Sequence, residues 1–311
     1  MHTEESDRVT VDDVVAAVDD VDVGTARDAL EPVTDDGAVA RAAAETTVSD
    51  VSKLLATAET RIELAGDAYD DVVGAADPVA DVPTVRARLD GVAERLSAVE
   101  GRISEPRPHP SIPENVETRP LEAYEFAVGI RAVVVTAQEA IEAADDLSFD
   151  AEQFESWLRR PERRYDEFTE DVEAVADAAD DLADAVDALA DGPADPAAGW
   201  ADATMRARVL SLLLADLRAE LADLRALADR ADAPVRAGLA DRLDRTEERV
   251  IGVESALDSR ADPAWRDRFG GDVAAFEAAL STFEPPVEWG VVDRTLSEHR
   301  PDDLGESVDG A

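Results

Sequence analysis

Few residues in this sequence are of the types that usually perform catalysis. The histidines are His2, His109 and His299. They lie at a terminus, in a proline-rich segment and at the end of the last predicted helix, so we expect solvated rather than catalytic side chains. Cysteine is absent, which excludes disulfides, thiolate metal sites and cysteine nucleophiles. Di-iron helical bundles use Glu-x-x-His on inward faces, and that spacing does not occur here.

The short motifs of common enzyme classes are also missing from the sequence. It contains no Walker loop, no Gly-x-Gly-x-x-Gly and no Gly-x-Ser-x-Gly. The groups Asp20, Asp22, Gly24 and Asp35, Asp36, Gly37 resemble fragments of a calcium loop. Neither has the full ligand spacing, so helix stops and turns are the favoured interpretation. We therefore expect no enzymatic activity, no cofactor and no bound metal.

One basic cluster differs from its acidic surroundings. It comprises Trp157, Arg159, Arg160, Arg163, Arg164 and Tyr165, arranged around Pro161. The arginines could dock an acidic partner or a nucleotide phosphate, with the aromatic rings supporting arginine stacking. Nearby acids, namely Glu155, Glu162, Asp166 and Glu167, could instead neutralise the cluster by pairing along the helix face. The structural interpretation is favoured, and the cluster is kept as the candidate partner-docking site.

The charge of the chain indicates the solvent in which it works. Lys plus Arg is 30 and Asp plus Glu is 73, for a formal net charge of −43. Lys53 is the only lysine, and the acids are spread along every segment. Molar salt has a Debye length of about 3 Å and would screen the resulting repulsion. A halophilic surface is therefore favoured over a nucleic-acid mimic or a decoy for basic proteins, and nucleic-acid binding is not expected.

The sequence also predicts a cytoplasmic protein that does not insert into membranes. The N-terminal residues MHTEESDRVT are acidic where a signal peptide is basic. The most apolar stretches, Ala132–Ala137 and Val209–Ala215, are far shorter than the roughly 20 residues that span a bilayer.

Apolar residues recur every three and four positions along most of the chain. Six segments show this spacing, beginning at Val48, Val85, Phe126, Tyr165, Leu210 and Leu239. A mean repeat of 3.5 residues keeps one apolar seam facing a partner helix. The predicted fold is therefore all-α: an elongated antiparallel bundle of coiled-coil-like hairpins without a β-sheet. Prolines such as Pro83, Pro161, Pro196 and Pro263 are expected at helix boundaries.

The prolines also suggest a domain organisation. We expect an N-terminal helical unit over 1–104, a proline-rich linker over 105–119, a C-terminal helical bundle over 120–300 and a disordered tail over 301–311. Whether the two helical units fold separately or share one bundle is left open by the sequence.

Two segments resemble a family of proteins from extreme halophiles called halo transducer proteins. They are SDVSKLLATAETRIELAGDAYDD at Ser49–Asp71 and PPVEWGVVDRTLSEHRP at Pro285–Pro301. The resemblance covers most of the chain and implies a transducer-like role in signal transduction. It implies no active site and no ligand.

These observations favour a non-enzymatic protein that acts through protein–protein interaction, as a scaffold, adaptor or transducer-like signalling component. The protein partner is not identified by the sequence, and a homodimer is one hypothesis. The alternative is a small-ligand-binding or enzymatic bundle, with its site in the aromatic-rich C-terminal unit around Trp157, Arg160 and Tyr165.

The charge predicts that folding depends on salt. Helix content measured by circular dichroism should fall when the protein is dialysed from molar KCl to low ionic strength, because repulsion among the carboxylates is then no longer screened. A spectrum that does not change on dialysis would contradict the halophilic interpretation of the charge.

Overall fold

The all-α prediction is confirmed. The computed structural model describes residues 8–18, 21–104, 111–191 and 195–299. These residues form α1 (Val11–Ala17), α2 (Val23–Leu30), α3 (Arg41–Ala76), α4 (Pro83–Ser104), α5 (Pro120–Arg159), α6 (Pro161–Ala188), α7 (Pro196–Arg230), α8 (Leu239–Arg260), α9 (Pro263–Leu280) and α10 (Trp289–His299). None of the helices described here combines the length and the apolar content that a membrane span needs. The predicted tail 301–311, His2 and His109 lie outside the described residues.

The prediction that the chain has no β-sheet needs one correction. Strands β1 (Thr34–Asp35) and β2 (Ala38–Val39) pair in an antiparallel hairpin. Asp36 and Gly37 join them with positive φ angles of 49° and 80°, a backbone that Asp-Gly adopts readily. The turn expected at these residues is confirmed. The strand pairing escaped the sequence analysis because two-residue strands are too short to show an alternating pattern.

The predicted proline boundaries are confirmed at four long helices. Pro83, Pro161, Pro196 and Pro263 each occupy the first helical position, where the missing N–H removes no helical hydrogen bond. The carboxylate of Asp195 accepts a hydrogen bond from the Ala198 N–H at the start of α7. Asp262 caps α9 in the same way. Side-chain caps of this kind stabilise a helix by about 1 kcal/mol.

The predicted apolar seams of α6, α7 and α8 are buried, whereas those beginning at Val48 and Val85 alternate buried and half-buried residues. All six seam residues of α8 are buried, namely Leu239, Leu243, Thr246, Val250, Val253 and Leu257. In α6 and α7 the seams beginning at Tyr165 and Leu210 are buried as well. Helix α7 packs against α6, α8 and α9, and α10 packs on α9. The heptad spacing therefore identified the core faces of these helices correctly.

A ladder of ion pairs flanks the seam between α6 and α8. Acids spaced seven residues apart on α6 meet arginines on α8 and around its ends, as Asp166–Arg236, Glu173–Arg242, Asp180–Arg249 and Asp187–Arg260. Their N–O distances lie between 2.6 and 2.9 Å. Charges that flank a heptad seam fix which helices pair and in which register. Each exposed pair contributes little to stability alone, so the ladder acts mainly on specificity.

The chain forms two compact units, and each takes residues from two segments. One unit comprises Met1–Ala75 with Leu89–Glu155, and the other comprises Ala76–Arg88 with Ser156–Ala311. These units are groups of residues in space, whereas 1–104, 105–119 and 120–300 were proposed as stretches of chain. The division of the chain into 1–104, 105–119 and 120–300 stays a prediction.

In the first unit, α3 packs against α5 through Ala58, Ala137 and Ala140, with Ile103 of α4 beside them. The second half of the proline-rich segment belongs to the same unit. Val116 is fully buried, and the side chain of Glu117 accepts a hydrogen bond from the Arg41 N–H. Residues 111–119 are therefore held in place by the helices around them.

Phenylalanines at buried and exposed positions give a test of the core. Phe168 on α6 is fully buried, so Phe168→Ala should lower the free energy of unfolding by about 3 to 4 kcal/mol. Phe149 on α5 is 60% exposed, and Phe149→Ala should change the free energy of unfolding by less than about 0.5 kcal/mol. Urea unfolding followed by circular dichroism in molar KCl measures both. Equal losses in the two variants would contradict the packing described for α6.

Candidate functional site

The structure divides the candidate docking cluster between the core and the surface. Trp157, Arg164 and Tyr165 are buried, Arg159 and Arg160 are exposed, and Arg163 is half-buried. The helix break at Pro161 separates the end of α5 from the start of α6 and brings this division about. The aromatic rings are therefore core residues, and only arginine side chains of the cluster reach the surface. A docking role for the cluster stays a prediction.

Trp157 connects this cluster to an arginine from a distant segment. The guanidinium carbon of Arg88, on α4, lies 4.4 Å from the centroid of the Trp157 ring. Arg164 approaches the same ring at 5.6 Å. A guanidinium over an indole face is attracted by the electron density of the ring, and burial strengthens that attraction. Of the two arginines that stack on Trp157, Arg164 belongs to the cluster and Arg88, which is the closer, does not.

Two acidic side chains hold Arg88 from its other side. Its Nη2 donates to Glu167 Oε1 at 2.7 Å and to Glu220 Oε1 at 3.3 Å. Glu167 lies on α6 and Glu220 on α7, so one guanidinium joins α4, α6 and α7. All of these residues lie in the second unit.

The first turns of α4 are fixed by contacts with α7. The backbone N–H and the hydroxyl of Thr84 both donate to Asp223 Oδ2, each at 2.8 Å. Arg230 forms a two-bond pair with Asp81 just before the helix, at 2.6 Å for each bond. Asp223 thus caps one of the otherwise unpaired amide groups at the start of α4. Arg88 lies one turn further along and is positioned by these contacts.

Beside Arg88, the second unit contains a cavity of about 580 Å³, which we call the α4–α7 cavity. Its walls come from α4, α6, α7 and the segment before α10. They comprise Thr84, Ala87, Arg88, Asp171, Ala174, Val175, Ala178, Leu210, Leu213, Asp216, Leu217, Glu220, Pro286, Val287 and Trp289. Its volume lies in the range of small-molecule sites, and an apolar wall with a few polar groups is their usual composition.

The carboxylate of Asp216, on α7, holds the wall of the cavity next to α10 through two hydrogen bonds. Asp216 Oδ2 accepts a hydrogen bond of 2.8 Å from Trp289 Nε1, and its Oδ1 accepts one of 3.1 Å from the Val287 N–H. Both donors lie in the segment just before α10 or at its first residue. Asp216 therefore closes one side of the α4–α7 cavity and also contributes a negative charge to it.

Glu220 is the most perturbed acid of the cavity. Its side chain is only 16% exposed. Burial, the largest cause, raises the pKa of its carboxyl to about 7; Arg88 opposes this shift, and Asp171, Glu167 and Asp216 add to it. Glu220 shares the guanidinium of Arg88 with Glu167. This one positive charge therefore does not balance the negative charges of the carboxylates around Glu220.

Asp171 stands at the exposed rim of the same cavity. Partial desolvation of the carboxyl raises its pKa, the charge of Glu167 raises it further, and Arg88 lowers it. No hydrogen bond or ion pair to Asp171 is found among the residues that the structure describes. Its carboxylate oxygens are thus open to a ligand that enters the cavity.

A second surface feature lies on α5 in the first unit. Leu121, Val128, Val135 and Phe149 are exposed large apolar residues, with exposed fractions between 41% and 60%. The first three are seven residues apart, and Phe149 follows after two further heptads. We call these four residues the α5 stripe. Because α5 buries its opposite face through residues such as Phe126 and Ile130, the helix has two apolar faces.

The sequence analysis placed the alternative ligand site around Trp157, Arg160 and Tyr165, none of which lines the α4–α7 cavity. Arg88, Glu220 and Trp289 are far apart along the chain, and no local motif joins them. One signal was present in α7, where Asp216, Glu220 and Asp223 follow the helical spacing beside the leucine seam. Acids that flank a seam on one side lie next to the core, where burial raises their pKa values.

The perturbed pKa of Glu220 predicts how stability depends on pH. Its folded value of about 7 lies above the ordinary value of 4.5, so its contribution to stability is complete below pH 4.5 and is lost as the pH rises through 7. The difference in unfolding free energy between Glu220→Gln and the parent protein should therefore increase by about 2 kcal/mol from pH 5 to pH 8. Urea unfolding at both pH values measures it, and a constant difference would contradict the burial of this charge.

Known proteins do not identify the α4–α7 cavity or the α5 stripe. No family model, no curated protein and no solved structure matches the chain. The resemblance to halo transducer proteins stays a prediction, and function has to be inferred from the chain's own residues.

Proposed function

We propose that this protein is a non-enzymatic helical bundle that acts through protein–protein contacts, as an adaptor or transducer-like signalling component in a high-salt cytoplasm. The α5 stripe is the observation that carries this proposal. Apolar residues that repeat every seven positions on an exposed helix face form the seam on which a second helix packs. From Leu121 to Phe149 the stripe extends for about 42 Å at 1.5 Å per residue.

The surroundings of the stripe select the kind of partner. Glu125, Glu139, Glu142 and Asp146 are exposed on the same side of α5, with Arg131 as a cation near them. Glu142 occupies the heptad position between Val135 and Phe149. Charges beside a heptad seam favour partner helices of opposite charge and disfavour those of like charge. We therefore propose an amphipathic helix with basic flanking residues as the occupant. A second copy of this chain would present the same acids, so a homodimer is the less favoured occupant.

The resemblance to halo transducer proteins supports the same proposal. Signalling proteins transmit information through contacts with other proteins, and an adaptor needs a surface that is left free for them. A role beside a transducer would also explain why α5 is apolar on both faces.

Small-ligand binding is the second candidate function, and the α4–α7 cavity favours it. Its apolar walls carry a few converging polar groups, which is the arrangement that separates a binding site from a filled core. Small-ligand binding would take place in the second unit. It is therefore compatible with protein contacts that the first unit makes through the α5 stripe.

Aspartates placed in the α5 stripe should abolish partner binding. The double variant Val128→Asp/Val135→Asp puts two charges into the proposed seam, where their desolvation in a complex would be costly. In affinity capture from the native cytoplasm in molar KCl, followed by mass spectrometry, the variant should lose a stoichiometric partner that the parent protein retains. Circular dichroism checks that the variant is folded.

A matched control uses exposed apolar residues away from the stripe. Val235 and Ile251 are 38% and 54% exposed in the second unit, so Val235→Asp/Ile251→Asp adds the same charge elsewhere. This control should retain the partner. The proposal is wrong if both double variants capture the same proteins as the parent. Light scattering identifies the occupant as a second copy if the parent is a dimer and only the stripe variant is a monomer.

A further inference from the structure

We propose that the α4–α7 cavity binds a small organic cation, specifically an ammonium group carried on an apolar body. The inference deepens the second candidate function and rests on it, and it is independent of the protein contacts proposed for the α5 stripe. It depends on the balance of charge, the apolar walls and the positions of free hydrogen-bond acceptors.

The balance of charge in the cavity selects a cation. Asp171, Asp216 and Glu220 line it, and Arg88 is the cationic side chain among its lining residues. Arg88 is already bound to Glu167 and Glu220, and it stacks on Trp157. An anion would have to compete with these carboxylates for one guanidinium, whereas a cation would offset the charge that Arg88 leaves unbalanced.

The walls of the cavity require a ligand with an apolar part. Ala174, Val175, Leu213, Leu217 and Val287 face the space beside the carboxylates. Apolar surface removed from water contributes about 25 cal/mol per Å² to binding. A hydrated inorganic cation gains nothing from these walls. Among the described residues, no group of three or more acidic or histidine side chains is arranged to hold a metal ion.

The acceptors of the cavity match the donors of a primary ammonium group. Such a group has three N–H donors and no acceptor. Glu220 uses one oxygen on Arg88, and Asp171 has no hydrogen-bond or ion-pair partner among the described residues. The carboxylates of these two residues can therefore accept from the ammonium, while Asp216 is held by Val287 and Trp289. Hydrogen bonds between charged partners are among the strongest that proteins form.

Binding of the cation is coupled to the protonation of Glu220. The charged groups that act on Glu220 are Arg88 of α4, Glu167 and Asp171 of α6, and Asp216 of α7. Since the pKa of Glu220 is about 7, its carboxyl is mostly protonated at pH 6 and mostly ionised at pH 8. The ionised form binds an ammonium group more tightly, so affinity increases with pH and binding releases a proton.

The test uses hexylammonium as the probe and calorimetric titration of the full chain in molar KCl. Hexylammonium should bind with a stoichiometry of one, and about tenfold more tightly at pH 8 than at pH 6. The neutral 1-hexanol and the anionic hexanoate have the same apolar chain, and both should bind much more weakly. Glu220→Gln should weaken hexylammonium binding by about tenfold at pH 8 and remove the dependence on pH.

Asp229→Asn is the matched control, because Asp229 is an exposed acid on the same helix outside the cavity. It should leave hexylammonium affinity unchanged, and equal weakening in the two variants would show attraction to the acidic surface alone and overturn the proposal. Binding of 1-hexanol or hexanoate as tightly as hexylammonium would also overturn it, while leaving a ligand cavity in place. If none of the three probes binds, both the cation site and the second candidate function fail.

Discussion

The constraint on which the structure depends is the scarcity of positive charge. The chain has 30 basic residues for 73 acids, so most carboxylates cannot have a cationic partner to themselves. Arginine is suited to this situation because one planar guanidinium can serve two acceptors and also stack on a ring. Several arginines serve two acids between helices, as when Arg218 pairs with Asp244 and Glu247, and Arg88 also stacks on a ring. Arginine side chains such as these therefore neutralise acids at the contacts between helices.

The ladder between α6 and α8 and the site at Arg88 are two results of this constraint. In the ladder each acid has its own arginine, and the pairs remain exposed enough for water and salt to screen them. At Arg88 a single arginine serves Glu167 and Glu220 in a place that water reaches less easily. The difference in burial explains why a pKa of about 7 occurs at Glu220. A strongly shifted pKa thus occurs where a buried carboxylate has to share its arginine with a second acid.

The sequence predicted the parts of the structure that local patterns determine. A seam residue such as Leu243 is buried because helical geometry brings every third and fourth residue to one face. Pro161 begins a helix because its ring fits the first turn. In contrast, the proximity of Arg88, Glu220 and Trp289 depends on how separate helices pack. Trp157 shows the same limit, since its type and position suggested a docking surface and only the tertiary fold buries it.

In the molar salt that the charge of the chain predicts, a recognition site has to be partly buried. At a Debye length of about 3 Å, exposed acids act on little beyond their immediate neighbours. A carboxylate that is partly shielded from water keeps more of its electrostatic effect, because fewer screening ions can surround it. Selectivity against abundant potassium then has to come from apolar contact, which an inorganic ion cannot make. Glu220, beside walls such as Leu213 and Leu217, meets both conditions, whereas the many exposed acids of the helices meet neither.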